Sequence, residues 1–186
     1  SVGKTTTKEA IASVLSQRYG TLKSTGNYNN EIGLPLTLLS LRPEHEYAVL
    51  EMGMYDLGEI AALCRIALPQ VGVVTNVGPS HLGRLGSIER IAQAKAELVE
   101  ALPTDGVAIL NGDDPRTRNM QTITEAVTVT FGLKVDNMIW AESVSSRGLA
   151  GASFTVHVRG QADLGISSSV RSLRLPALGQ HAVMTA

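Results

Sequence analysis

The sequence is poor in several features that mark particular classes of protein. Its one cysteine, Cys64, has no partner for an internal disulfide, which excludes a disulfide-stapled scaffold and suits a reducing compartment. Neither sign of charge is in excess. The 16 basic and 17 acidic side chains leave a formal net charge of −1, so neither nucleic acid nor an acidic membrane surface is indicated as a partner. No apolar run reaches transmembrane length, and the N-terminus lacks the charged-then-apolar order of a signal peptide. Membrane insertion is therefore not expected, and a cytoplasmic location is. Internal repeats and low-complexity linkers are missing too. So is an initiator Met: the chain opens inside a motif and closes on a segment, 179–186, that reads as the start of a helix. The expectation is a fragment, monomeric, whose full activity needs flanking domains.

What is present suits one globular domain. With 186 residues, 44% of them hydrophobic and 18% charged, the chain has enough apolar surface to bury a core without staples. A helical pattern runs from Lys4 to Tyr19, with Ile11, Val14 and Leu15 on one side and Gly20 as a stop. A polar Asn- and Gly-rich loop spans 26–35, followed by a short apolar helix at 36–41. Tyr47–Leu50 predicts a buried parallel strand ending in Glu51, and Asp56 predicts the cap of a helix over 57–66. The cycle repeats with a strand at 71–75, a helix at 88–102 capped by Ser87, and a strand at 107–111. Asp114-Pro115 then starts another helix, and a strand follows at 127–131. After Gly132 the segments 138–144, 153–158 and 170–175 alternate apolar and polar residues, as half-exposed antiparallel strands do. Strands alternating with helices predict an α/β domain with a mostly parallel sheet flanked by helices. The expected division is a parallel core over 1–134, a smaller antiparallel β section over 135–178, and the start of a helix over 179–186.

The opening residues Ser1-Val2-Gly3-Lys4-Thr5-Thr6 carry the most chemistry. In a phosphate-binding loop, backbone amides and a helix N-terminus surround the phosphates. The Lys ammonium reaches the terminal ones, and the next hydroxyl ligates Mg²⁺. Gly3, Lys4 and Thr5 fill those places ahead of a helix, although the Gly usually found further upstream is not in the sequence. Such a loop needs an acid at the end of a neighbouring strand. Glu51 fits that position and fits equally a surface Glu at a strand end. His81 lies in the loop after the next strand, where open α/β sheets bind ligands, a place where solvated or capping histidines are also common. Lys95 sits mid-helix and reads either as functional or as solvated. Asp113 and Asp114 suit a nucleotide contact or an acidic cap before Pro115.

Taken in order, the motifs resemble those of the Mur ligases. They run Ser1–Lys8, Gly26–Leu39, Leu50–Gly53, Thr75–Gly78 with His81-Leu82, Ala94–Glu97, and Leu110–Asp114. The Asn-rich segment is similar to that of the family branch that joins D-Ala-D-Ala to UDP-MurNAc-tripeptide. The resemblance implies a P-loop NTPase-like α/β fold, ATP and Mg²⁺ as cofactors, and an ADP-forming acid–amino acid ligase of peptidoglycan precursor synthesis. It places Ser1, Val2, Gly3, Lys4, Thr5 and Thr6 around the phosphates, with Lys4 on the β- and γ-phosphates. Thr5 and Glu51 would hold a first Mg²⁺, and His81 a second. Lys95 matches a lysine that many members carry as a carbamate. Asn76, Asp113 and Asp114 would lie near the nucleotide, and Asn27, Asn29 and Asn30 on the substrate side. Gly179-Gln180-His181 matches the start of a family segment, but Ala182 and Thr185 stand where that segment has Asn, so adenine contacts there are in question. The rival readings are a sister or cyanophycin-synthetase-like ligase using another acid or amine, and a P-loop NTPase acting as a switch or motor.

Overall fold

The computed structural model describes residues 3–79, 82–146 and 151–175. The predicted site residues Ser1, Val2, His81 and His181, and the expected helix over 179–186, lie outside the described residues. The chain runs α1 (Lys4–Leu15), β1 (Thr21–Lys23), α2 (Gly33–Leu38), β2 (Tyr47–Val49), α3 (Glu59–Ala67), β3 (Val71–Val74), α4 (Leu82–Leu85), α5 (Ile88–Glu100) and β4 (Val107–Asn111). It continues through α6 (Pro115–Asn119), β5 (Val127–Gly132), β6 (Ile139–Ser146), β7 (Ala152–Val158) and β8 (Ser169–Leu175).

Among the described residues β1 and β2 form a two-stranded parallel sheet, and the rest form a six-stranded sheet in the order β3-β4-β5-β6-β7-β8. Strands β3 to β6 are parallel, and β6, β7 and β8 are antiparallel. The expected α/β class, with its antiparallel section toward the C-terminus, is the class observed. Strand β6 joins the two regimes. It pairs in parallel with the tail of β5 through Phe131↔Ile139 and Gly132↔Trp140 only, then turns antiparallel onto β7. A parallel neighbour normally needs a long crossover. Here a short loop suffices, because β6 begins where β5 stops.

The main core lies between α3, α5 and the β3–β4 face, where Ile60, Cys64, Val74, Ile91, Val99 and Leu110 are buried together. Ile91, Val99 and Leu110 are each 0% exposed, and full burial of one such side chain is worth roughly 1.5–3 kcal/mol. The local caps agree with the sequence. Ser87 Oγ accepts from Arg90 N at 3.2 Å, and Asp114 Oδ1 accepts from Arg116 N at 3.0 Å with Pro115 leading α6. No helix among the described residues is long and apolar enough to cross a membrane.

Four local expectations are corrected. Helix α1 ends at Leu15 rather than Tyr19, and its buried residues are Lys8 and Ala12, while Val14 is 72% exposed. Its inner face packs on the small β1–β2 sheet, where Lys8 reaches the carbonyl of Ser24 just past β1. The short helix after the Asn-rich loop starts earlier, at Gly33, because Asn30 Oδ1 accepts the amides of Ile32 and Gly33. Strand β2 is parallel, as expected, but not buried: Tyr47 and Ala48 are exposed, since its described partner is β1 on one edge. Among the described residues Asp56 accepts from the adjacent Leu57 N rather than from a helix amide, and α3 begins at Glu59. The cap of α3 comes from α5, where Glu97 accepts from Gly58 N at 2.6 Å and Ala61 N at 3.0 Å. A carboxylate there satisfies orphan amides and complements the helix dipole.

Cys64 is 3% exposed. Burial, aided by the Glu97 charge, pushes its thiol up to about 11. Because the thiolate is the reactive form, its population at pH 8 falls about a hundredfold below that of an ordinary thiol. A disulfide reagent at pH 8 is therefore expected to label the native protein at least about a hundredfold more slowly than the urea-unfolded protein. Equal rates in the two states would show that this core opens freely.

Candidate functional site at the strand ends

The chain enters α1 through Gly3, whose φ of 98° lies in the left-handed region that glycine tolerates without penalty. This conformation sets Lys4 and Thr5 on the first turn, at the positive end of the helix dipole. Thr5 Oγ1 donates to Glu51 Oε2 at 2.8 Å. Glu51 follows β2 and is 7% exposed. Its other oxygen accepts from Asn29 Nδ2 at 3.1 Å, and Asn29 is held in turn by its carbonyl, which accepts from Gly53 N at 2.7 Å. The structure thus brings Thr5, Glu51 and Asn29 together, although they come from three separate motifs.

A hydroxyl beside a carboxylate is an oxygen-only donor pair, the chemistry that suits Mg²⁺. Among the described residues no group of three or more His, Cys, Asp or Glu is placed to hold a metal.

Lys95 marks a second part of the site. It is 9% exposed, and its ammonium donates to the backbone carbonyl of Asn76, beyond β3. Burial first, and then the Lys4 charge, pull its pKa down from 10.5 to about 8, opposed by Asp114. The influence of Lys4 places the two lysines of the predicted site within electrostatic reach of each other. Asn111 Nδ2 donates to Thr75 O at 2.8 Å, tying the ends of β3 and β4.

Asp113 and Asp114 follow β4, and both carboxylates are engaged by the protein. Asp114 Oδ2 accepts from Val77 N at 2.8 Å and Thr117 Oγ1 at 3.2 Å. Asp113 accepts from Leu133 N at 2.6 Å, Lys134 N at 3.3 Å and Asn137 Nδ2 at 2.9 Å. They therefore shape the loops at this edge. Asn30 is likewise occupied in capping α2, while Asn27 is exposed on the loop. A cleft of about 140 Å³ lies beside that loop, lined by Asn30, Glu31, Gly53, Glu59, Ala62 and Leu63. A larger one, about 440 Å³, opens far along the antiparallel section between Trp140, His157, Arg159 and Ser168, and none of the motif residues lines it.

Three residues escape a reading of the sequence. Asn137 is 0% exposed, and besides its bond to Asp113 it accepts from Arg118 Nη2 at 3.0 Å. Lys8 and Ser24 are buried behind Glu51. The sequence signal for Lys8 is its helical spacing from Lys4 and Thr5, which puts it on their face. Asn137 and Ser24 lie in connections with no periodicity to read.

The sequence profile of the Mur ligase middle domain matches residues 1–184. The UDP-N-acetylmuramoyl-tripeptide--D-alanyl-D-alanine ligase of Bacillus subtilis is 43% identical over 184 residues, 99% of this chain and 37% of its own length. The Synechocystis enzyme of the same name is 50% identical over 135 residues, 72% of this chain and 30% of its own. Among solved structures, MurF from Acinetobacter baumannii superposes with a TM-score of 0.89 at 34% identity, covering 100% of this chain and 39% of that one. The MurF ligase of Thermotoga maritima in complex with ADP superposes with a TM-score of 0.85 at 29% identity, covering 100% and 41%. The chain thus spans about a third to two fifths of these relatives' length. With the profile match running from the first residue to the 184th, the chain belongs to the Mur ligase family, as its middle domain.

Proposed function

We propose that this chain is the ATP-binding centre of an ADP-forming ligase that joins D-Ala-D-Ala to UDP-MurNAc-tripeptide in peptidoglycan precursor synthesis. The observation that carries the reading is the Thr5–Glu51 pair at 2.8 Å, one residue from Lys4 at the start of a helix. It is supported by curated relatives named for that reaction and by a structural neighbour in complex with ADP.

In this reading Gly3, Lys4, Thr5 and Thr6 receive the phosphates, together with Ser1 and Val2, and Lys4 meets the β- and γ-phosphates. Thr5 and Glu51 hold Mg²⁺, and His81 with a carbamylated Lys95 holds a second ion. Bound Mg²⁺ would supply charge neutralisation for the phosphoryl oxygens. Asn76, Asp113 and Asp114 border the nucleotide. Because both Asp carboxylates are bonded to backbone amides, their contribution is to fix the loops that approach it. Asn27, Asn29 and Asn30 belong to the loop beside the small cleft and face the acid substrate. His181 is assigned to the nucleotide on its sequence motif alone.

The reaction transfers the γ-phosphoryl group of ATP to the tripeptide carboxylate, giving an acyl phosphate and ADP. The dipeptide amine then attacks the acyl carbon, and phosphate leaves. Both steps build negative charge on oxygen, which the Lys4 ammonium and the α1 amides would stabilise. The chain's part is positioning and electrostatics. Full-length protein is expected to release ADP and phosphate only when UDP-MurNAc-tripeptide and D-Ala-D-Ala are both supplied. Turnover that ignores the dipeptide would sink the assignment.

A further inference from the structure

Behind the Thr5–Glu51 pair, three elements close into a hydrogen-bonded ring. Helix α1 contributes Thr5 and Lys8, one turn apart on the same face; Ser24 follows β1 and Glu51 follows β2. Thr5 Oγ1 donates to the Glu51 carboxylate at 2.8 Å. Glu51 N donates to Ser24 Oγ at 2.9 Å. Lys8 Nζ donates to Ser24 O at 2.8 Å, and α1 itself completes the circuit back to Thr5.

Lys8 is 4% exposed and Ser24 is 1% exposed, and their polar atoms are turned to each other and to the Glu51 backbone. Burying an ammonium is costly, and an apolar side chain of similar length would fill the space at less cost. The Lys8 charge is balanced by Glu9 at 3.2 Å, a carboxylate that Lys23 also pairs with. Lys8 also donates to the carbonyl of Ser24, the residue whose hydroxyl holds the Glu51 backbone. If the Glu51 carboxylate turns to a cation, its contacts with Thr5 and Asn29 loosen, and the bond to Ser24 remains as the tether.

We infer that Lys8 and Ser24 are positioning residues for the metal-holding carboxylate, fixing the backbone of Glu51 against α1 so that the oxygens of Thr5 and Glu51 stay paired. This rests on the reading of Thr5 and Glu51 as Mg²⁺ ligands. Residues that orient metal ligands from behind carry about ten- to a hundredfold of metal affinity.

The test uses full-length protein and calorimetric binding of ADP across a Mg²⁺ titration. Ser24→Ala and Lys8→Met are made alone and on a Glu51→Gln background. Each single variant is expected to raise the Mg²⁺ concentration for half-maximal ADP binding at least about tenfold, with ADP binding in chelator unchanged. On the Glu51→Gln background either change is expected to add less than about twofold, because the group it positions is gone. An unchanged Mg²⁺ requirement in the single variants, or an undiminished loss on the Glu51→Gln background, overturns the inference. If Lys8→Met does not fold, Ser24→Ala decides the question, since it removes one hydroxyl and little volume. Wild-type binding that ignores both Mg²⁺ and Glu51→Gln would overturn the metal assignment, and this inference with it. Binding that responds to those two but not to Ser24→Ala removes the positioning role alone.

Discussion

Replacing Lys95 by methionine is expected to silence ligation and, in the same protein, to stabilise the fold. Lys95 is 9% exposed, and its pKa is pulled down to about 8, chiefly by burial and then by Lys4. The native state therefore disfavours the protonated amine. A displacement of that size from 10.5 corresponds to a cost on the order of 3 kcal/mol at neutral pH. Methionine fills similar volume without a charge.

The pH dependence has a definite sign. Below pH 8 both the native and the unfolded chain hold the proton, so the full cost is present. Between about 8 and 10.5 the unfolded chain binds more protons, and wild-type stability contributed by this group rises with pH. The advantage of Lys95→Met should consequently be largest below pH 8 and fade toward 10.5, as read from denaturant midpoints at several pH values. A variant less stable than wild type at pH 7 would refute this account of the site.

The functional arm follows from the same geometry. A depressed pKa supplies the neutral amine that carbamylation requires, and an anionic group at this position would replace the repulsion from Lys4 by attraction. Lys95→Ala is expected to lower ATP turnover by about two to three orders of magnitude, the usual scale for losing one charged stabiliser. Short carboxylates such as acetate are expected to restore part of it. Turnover indifferent to Lys95→Ala would favour a nucleotide switch without ligation.

The second large effect is structural. Gly112→Ala and Gly132→Ala are each expected to lower stability by about 3 kcal/mol or more, through overpacking and the loss of buried hydrogen bonds. A Cβ at position 112 would collide with Asn137 Oδ1 and press on Arg118 Nη2 at 3.0 Å, and one at position 132 would collide with Asp113 and Asn137. Asn137 has no slack. Its amide nitrogen donates to Asp113 and to Lys134 O, and its oxygen accepts from Arg118. Arg118 is anchored by donating through Nε to Gly112 O at 2.7 Å. Shifting any member strands a buried polar group. Gly83 is the control: a Cβ there meets nothing within 4 Å, and Gly83→Ala in α4 should be neutral or slightly stabilising. If Gly112→Ala unfolded at the same denaturant concentration as Gly83→Ala, the network would not be the rigid unit described.

Much of this protein was legible in the chain itself. Alternating apolar runs and helical patterns specify an α/β domain, because strand and helix periods depend on near neighbours. Ser87 and Asp114-Pro115 mark their helix starts for the same reason: a cap bonds within its own turn. The Gly3-Lys4-Thr5 start and Glu51 could be paired from the sequence because a phosphate loop requires an acid at a neighbouring strand end.

Only the tertiary structure decided what each polar group serves once elements meet. Glu97 caps α3 from 39 positions away, where the sequence pointed to Asp56. Asp113 and Asp114 spend their carboxylates on loop amides. Lys8, Ser24 and Asn137 are buried because of what lies opposite them, not because of their own type. A buried polar side chain is stable only where distant partners satisfy it. Those partners come together through packing between elements, which local periodicity does not encode.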